Sequence, residues 1–309
     1  MRKSAKIVIY VILALCVLFA VGLILGANYM FAYALDSQFG GGVDTRSYEA
    51  HPGSVEEWLV QNSTLESLES HDGLTLKASF IPASAETNKY VLLIHGYKAG
   101  PLSMAPYAQH YHQLGWNVLL PHHRANGESE GRYIGMGYLE HFDMLGWLSL
   151  LIEKNPDAEI IMHGVSMGAA TTMMSTGSAQ LPANVKVAIA DCGYSSVTKE
   201  FTHQLKDLFG LPSFPLIPAT SLVTKIKAKY SFSQVDCAAA VARSKTPTLF
   251  IHGDADSFVP FWMLEEVYQA AACSKDKLVV TGAGHADSRE VAPELYWERV
   301  NSFVSQFIE

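Results

Sequence analysis

The chain has 309 residues, of which 49% are hydrophobic and 17% charged, a balance that excludes a disordered polymer and suffices for one large domain with a sizeable core. A net charge of -8 offers no basic footprint, so nucleic acid is not an expected partner. Of the four cysteines, Cys16 lies in the apolar N-terminal run; Cys192, Cys237 and Cys273 are odd in number and lack C-x-x-C spacing, which predicts buried small side chains rather than a disulfide framework or a zinc site.

Arg2, Lys3 and Lys6 precede an uncharged apolar run from Ile7 to about Ala34. That run exceeds the roughly 20 residues a helix needs to cross a bilayer. The preceding cations favour a cytoplasmic N-terminus and an extracytoplasmic remainder. Ala32-Tyr33-Ala34 has the small-x-small form of a signal-peptide cleavage site, and cleavage there would release a secreted protein. The length of the run favours a retained signal-anchor over residues 1–35 and a single-pass protein of the cell membrane. "DSQFGGGVDTRS", with three glycines, reads as part of a flexible linker over 36–54, and residues 55–309 as the folded domain.

"STLESLESHDGLTLKASFIPA" predicts two antiparallel strands joined at His71-Asp72-Gly73, where Asp-Gly is the turn signal. Apolar runs then alternate with helical stretches: "YVLLIH" at 90, "WNVLLP" at 116, "EIIMHG" at 159, "VKVAIAD" at 185, "TPTLFIHG" at 246 and "KLVVTGAGH" at 277. Continuous hydrophobicity is what strands buried on both faces require, so a mainly parallel sheet with helices on both sides is expected, its chemistry at the carboxyl edge.

Four motifs lie at that edge. "LIHGYKAG" can turn the Tyr97 backbone amide toward a developing oxyanion. "IIMHGVSMGAA" sets Ser166 between Gly164 and Gly168 on a strand-to-helix turn, with the Met167 amide as a second donor. "LFIHGDADSFVP" supplies two carboxylates past a strand end, Asp254 and Asp256, either able to orient an imidazole; an EF-hand ligand spacing is missing. "VVTGAGHADS" presents His285 after the last strand. Alone, an ordinary turn explains the first two motifs, a solvated acidic loop the third and a surface or packing histidine the fourth, but the order serine, acid, histidine is that of a nucleophile-elbow enzyme.

On these residues the chain resembles an α/β-hydrolase fold serine hydrolase, and is similar to the bacterial YqkD-like group related to serine aminopeptidase and Bem46-type proteins. The likeness spans roughly residues 55 to 309. It includes "PHHRANGESEG", where Arg124, Gly127, Ser129 and Gly131 match an R-G-x-G-x-S-x-G loop and Ala125 replaces its first glycine, and "HFDMLGWL", where Asp143 matches the usual acid. The resemblance implies Ser166 as nucleophile, His285 as general base and then acid, and Asp256 as the group that fixes the imidazole tautomer. It prefers Asp256 to Asp254 through the pattern H-G-x-x-D-x-x-V-P, and it puts the oxyanion hole at the amides of Tyr97 and Met167. A serine nucleophile implies an acyl-enzyme and hydrolysis of an ester, thioester or amide.

No metal or organic cofactor is called for; His110/His112 and His122/His123 have no matching carboxylate or cysteine cluster. The segment 194–243, apolar and proline-rich, reads equally as a small helical cap over the serine or as helices packed on the sheet, with "KIKAKY" a solvated helix face. Three readings follow: a membrane-anchored carboxylic ester hydrolase; a serine aminopeptidase-like peptidase on short peptides, which would want an acidic group for the substrate amine; and a non-catalytic binding module, against which the complete triad argues. The sequence leaves the oligomeric state open.

Overall fold

The computed structural model describes residues 3–39 and 50–308. The expected linker thus falls partly on residues 40–49, which lie outside the described residues.

Helix α1 (Lys3–Leu35) is the one helix among the described residues long and apolar enough to cross a membrane, with a mean hydropathy of 3.2 in its most apolar window and none of that window buried. Its last turns differ. Ala27, Phe31 and Leu35 recur four residues apart, and each is at most 1% exposed. This stripe packs against the globular body, chiefly α7 (Leu216–Lys227), at the spacing that makes one face of a helix. The chain beyond the helix stays pinned: Asp36 takes a paired contact from Arg132, at 2.8 Å for the shortest oxygen, and Ser37 N donates to the Arg132 carbonyl.

Helix α2 (Val55–Asn62) opens the body, its first turn capped by Ser54, which accepts from the Glu57 amide. Strands β1 (Thr64–Glu69) and β2 (Thr75–Ile81) form the expected hairpin, with Gly73 at φ 84° in its turn. The strands β3 (Lys89–Ile94), β4 (Asn117–Pro121), β5 (Glu159–Val165), β6 (Val185–Asp191), β7 (Thr248–Gly253) and β8 (Lys275–Val280) follow in the predicted positions. The sheet order is β1-β2-β4-β3-β5-β6-β7-β8, antiparallel only at β1/β2 and β2/β4.

Successive side chains alternate between two buried faces, which is why these strands read as unbroken apolar runs. Val91 and Leu93 pack under α3 (Ala105–Gln113) and α11 (Pro293–Val304); Leu92 and Ile94 face α4 (Tyr138–Lys154). Helix α5 (Met167–Thr176) shares the second face with α8 (Cys237–Val241) and α9 (Trp262–Ala270). Within segment 194–243, α6 (Val197–Phe209) and α7 line the cavity that holds Ser166, whereas α8 packs on α5, the Cys237 Sγ 3.8 Å from the Ala170 carbonyl. Cys192 and Cys237 are buried and Cys273 is half-buried.

One ionic cluster around the buried Arg124 ties the hairpin to this body. Arg124, 3% exposed, sends Nε and Nη2 to Asp143 on α4, at 2.7 and 2.6 Å, and Nη1 and Nη2 to Asp72 in the hairpin turn, at 2.9 and 3.1 Å. The neighbouring Ala125 occupies the left-handed region at φ 60°, where the resembled loop carries glycine, with its amide bound to the Glu130 carbonyl at 2.9 Å. Asp143→Asn leaves the buried guanidinium with one carboxylate, the partly exposed Asp72, and is expected to cost about 2 kcal/mol, read as a lowered urea midpoint of the full chain in detergent.

Candidate active site

Strand β5 ends at Val165 and α5 begins at Met167, so a single residue makes the turn between them. Ser166 sits at φ 58° and ψ -120°, a region that residues with side chains rarely occupy. A Cβ on Gly164 would lie 2.1 Å from the Gly168 carbonyl oxygen, and one on Gly168 1.9 Å from that of Ile94. Backbone meets backbone on both sides of the serine, which is why glycine flanks it.

The hydroxyl this turn holds up reaches a histidine from the other end of the sheet. Ser166 Oγ is 2.8 Å from His285 Nε2, and His285 Nδ1 is 2.8 Å from Asp256 Oδ2. The carboxylate fixes the proton on Nδ1, so Nε2 is free to accept from the serine. Asp256 is fully used: Oδ1 accepts the amides of Phe258 and Val259, both at 2.9 Å, and Oδ2 also faces His252 Nε2 at 3.2 Å. His252 Nε2 approaches the Val259 carbonyl at 3.0 Å as well; two acceptors require the proton on Nε2 and leave Nδ1 unpartnered. Burial pushes the Asp256 carboxyl up, but the hydrogen bonds and charges of His252 and His285 outweigh it and hold the group at about 2. Asp254 instead accepts the Gly282 amide at 2.6 Å, away from His285.

Tyr97 and Met167 line the same cavity as Ser166. Met167 is the first residue of α5, where an amide has no carbonyl one turn behind it and the helix dipole favours negative charge. A Cβ on Gly96 would lie 3.3 Å from Ser166 Cβ, so the loop carrying Tyr97 runs directly beside the serine. Two buried histidines clamp that loop. His95 Nδ1 donates to the Gly96 carbonyl at 2.9 Å while its Nε2 accepts the His123 amide at 3.3 Å; His123 Nε2 donates to the His95 carbonyl at 2.9 Å. The Tyr97 hydroxyl donates to the Ala34 carbonyl in the last turn of α1, at 2.7 Å.

Above the serine is a cavity of about 320 Å³ walled by α1 (Met30, Tyr33, Ala34), α6 and α7. One acid interrupts its apolar lining. Glu200 on α6 is 3% exposed; Gln204 donates to Oε1 at 3.0 Å, and Oε2 has no partner. Burial, reinforced by the charge of Asp256, pushes this carboxyl up to about 8. At the end of β6, burial likewise pushes Asp191 up to about 7, although the Tyr296 hydroxyl donates to its Oδ2 at 2.9 Å.

These two carboxyls hold protons more tightly in the folded chain than in the unfolded one, so each costs stability as pH rises toward its folded value. His95, His122, His123 and His163, which burial keeps below the usual histidine range, act in the opposite sense as pH falls below about 6.5. Above about pH 6.5 only the carboxyls remain, so urea resistance is expected to decline between about pH 6.5 and pH 8. Combining Asp191→Asn with Glu200→Gln is expected to flatten that decline; an unchanged slope would contradict the assignment.

The motifs thus bring Ser166, Asp256, His285, Tyr97 and Met167 to one place. Sequence reasoning missed four contributors: Glu200, the α1 wall, the His95/His123 clamp and the His252 support. His252 alone carried a signal, standing in the H-G-x-x-D pattern. Glu200 is one acid in a helix that also holds lysines, and its burial depends on α6 folding back over the sheet.

Residues 136–306, more than half of the chain, match the prolyl oligopeptidase family. A relative in Bacillus subtilis, the uncharacterized protein YqkD, is 28% identical over 223 residues, which are 72% of this chain and 73% of YqkD. Among solved structures, the esterase Pf2001 of Pyrococcus furiosus superposes with a TM-score of 0.68 at 21% identity, over 84% of this chain and 98% of the esterase. The acylaminoacyl peptidase of Pyrococcus horikoshii gives a TM-score of 0.59 at 17% identity, over 79% of this chain and 40% of the peptidase. The matches fit the mostly parallel sheet flanked by helices: the chain belongs to the prolyl oligopeptidase family and is a serine hydrolase of the α/β-hydrolase fold.

Proposed function

We propose that this chain is a membrane-anchored carboxylic ester hydrolase that works through an acyl-enzyme. The observation that carries the reading is the unbroken Ser166–His285–Asp256 hydrogen-bonded chain at the floor of an apolar cavity. Ser166 Oγ attacks the ester carbonyl as its proton passes to His285 Nε2, and the amides of Tyr97 and Met167 hold the resulting oxyanion. His285 returns the proton to the leaving alcohol. Water then enters, gives its proton to His285 and attacks the acyl-enzyme, and the second tetrahedral species collapses, freeing the acid as His285 returns the proton to the departing Ser166 Oγ.

The cavity lining of Met, Leu, Phe and Ile side chains suits an acyl chain. Helix α1 is read as the anchor, its N-terminal Arg and Lys residues in the cytoplasm and the domain from residue 55 outside, with α6 and α7 as the cap. A peptidase is the second reading, and Glu200 favours it: an acid lining the cavity could pair with a substrate ammonium, whose charge would draw off the proton that burial retains.

The test is labelling of the full chain in detergent with a fluorophosphonate probe. Strong labelling of wild type, absent in Ser166→Ala and in His285→Ala, is expected. A folded wild-type protein that does not label would overturn the reading. Activity on short nitrophenyl esters against aminoacyl amides, compared in Glu200→Gln, separates ester from peptide.

A further inference from the structure

The cavity above Ser166 is walled on one side by the last turns of α1, where that helix packs on the globular body. Its rim is partly exposed and apolar: Tyr33 on α1, with Leu208 and Phe209 at the end of α6, are 42%, 56% and 38% exposed. The Tyr33 and Phe209 rings meet edge to face at 5.7 Å, so α1 and α6 meet at this rim. Directly after Phe209 the chain enters the loop 210–215 that leads to α7.

The position of that loop along α1 follows from α7. Leu216, at the start of α7, reaches to 3.5 Å from where a Cβ on Gly26 would lie, while Lys227, in its last turn, sits 5.0 Å from the Phe31 ring. The first turn of α7 is therefore the end nearest the exposed apolar stretch of α1. That stretch, residues 6–25, spans about 30 Å as a helix, the thickness of a bilayer's hydrocarbon core. Its upper end is level with the α6–α7 loop. The loop presents Leu211 and Phe214 outward, 42% and 77% exposed, although neither lines the cavity.

From these contacts we infer that the α6–α7 loop dips into the leaflet nearest the domain, and that the cavity takes its substrate from that leaflet. The substrate class is then a long-chain acyl ester dissolved in the membrane, its chain passing over the paired Tyr33 and Phe209 rings toward Ser166. An aqueous ester would gain nothing from an apolar rim, whereas a lipid chain keeps apolar contact all the way from bilayer to serine. This step rests on the anchored-esterase reading above, and Ser166 chemistry is common to both.

The experiment uses the full chain reconstituted in phosphatidylcholine vesicles, with 4-methylumbelliferyl oleate in the bilayer and 4-methylumbelliferyl acetate in the water. Combining Leu211→Glu with Phe214→Glu puts two charges where the loop would meet lipid. Oleate hydrolysis is expected to fall at least about tenfold, with acetate hydrolysis within about twofold of wild type. Equal effects on both substrates, or none on either, would overturn the inference. Phe214→Trp gives an independent reading that needs no disruptive charge: the fluorescence gained over wild type should be quenched by brominated lipid, and its persistence would also overturn the inference. Wild-type enzyme that labels with fluorophosphonate and cleaves acetate, but is indifferent to the loop charges, keeps the esterase reading and loses only entry from the leaflet. Failure to label removes the esterase reading itself.

Discussion

Ester hydrolysis by the Ser166→Ala variant is expected to fall about 10⁴-fold or more, with no compensating change in KM. The side chain makes one hydrogen bond, to His285, and alanine can hold the same backbone angles at the same strain. The melting temperature should therefore stay within about 2 °C of wild type, which separates lost chemistry from lost structure. His285→Ala should cost a similar factor, and the double variant little more, because the serine attacks only while the imidazole accepts its proton. A double variant that loses the product of the two single effects would mean that the two residues act independently. Residual activity above the uncatalysed rate is expected from the Tyr97 and Met167 amides, which neither substitution touches.

Gly168→Ala is the second large effect, and it acts on folding. The added methyl would stand 1.9 Å from the Ile94 carbonyl oxygen and 2.8 Å from that of His95, so β3 and α5 would have to separate at the centre of the sheet. A cost of about 4 kcal/mol or more is expected, comparable with the whole stability of many domains, and should appear as loss of soluble, labelled protein. Gly146→Ala is the matched control. Its methyl would meet only the end of the Leu68 side chain, and alanine favours the helix by about 1 kcal/mol, so the melting temperature should barely move. Equal tolerance at both positions would contradict the argument that close backbone approach, rather than helix preference, fixes the elbow glycines.

The sheet was legible because its strands are buried on both faces, which leaves uninterrupted apolar runs, and because Asp72-Gly73 marks the β1/β2 hairpin. The convergence of Ser166, Asp256 and His285 was legible because the three stand at strand ends in an order that few other arrangements share. Side chains whose roles depend on distant packing were not legible. The buried stripe of Ala27, Phe31 and Leu35 cannot be told from lipid-facing residues inside a run that is apolar all round. The clamp made by His95 and His123 was not legible because its partners are backbone carbonyls and amides, which carry no sequence signature. Glu200 is buried only because α6 folds back over the carboxyl edge.

Helix α1 therefore belongs to two parts of the molecule at once, and this bears on how the enzyme can be handled. A chain shortened to start at residue 36, the natural choice for soluble expression, would lack Met30, Tyr33 and Ala34 and would open the cavity along one side. The Tyr97 hydroxyl would lose its acceptor, freeing the loop that carries one of the two proposed oxyanion amides. Ile217, now 8% exposed, would face water and invite aggregation or adventitious binding. Sluggish turnover by such a shortened enzyme would report a missing wall, and a peptide covering residues 26–35 added back in trans would restore what the deletion took away.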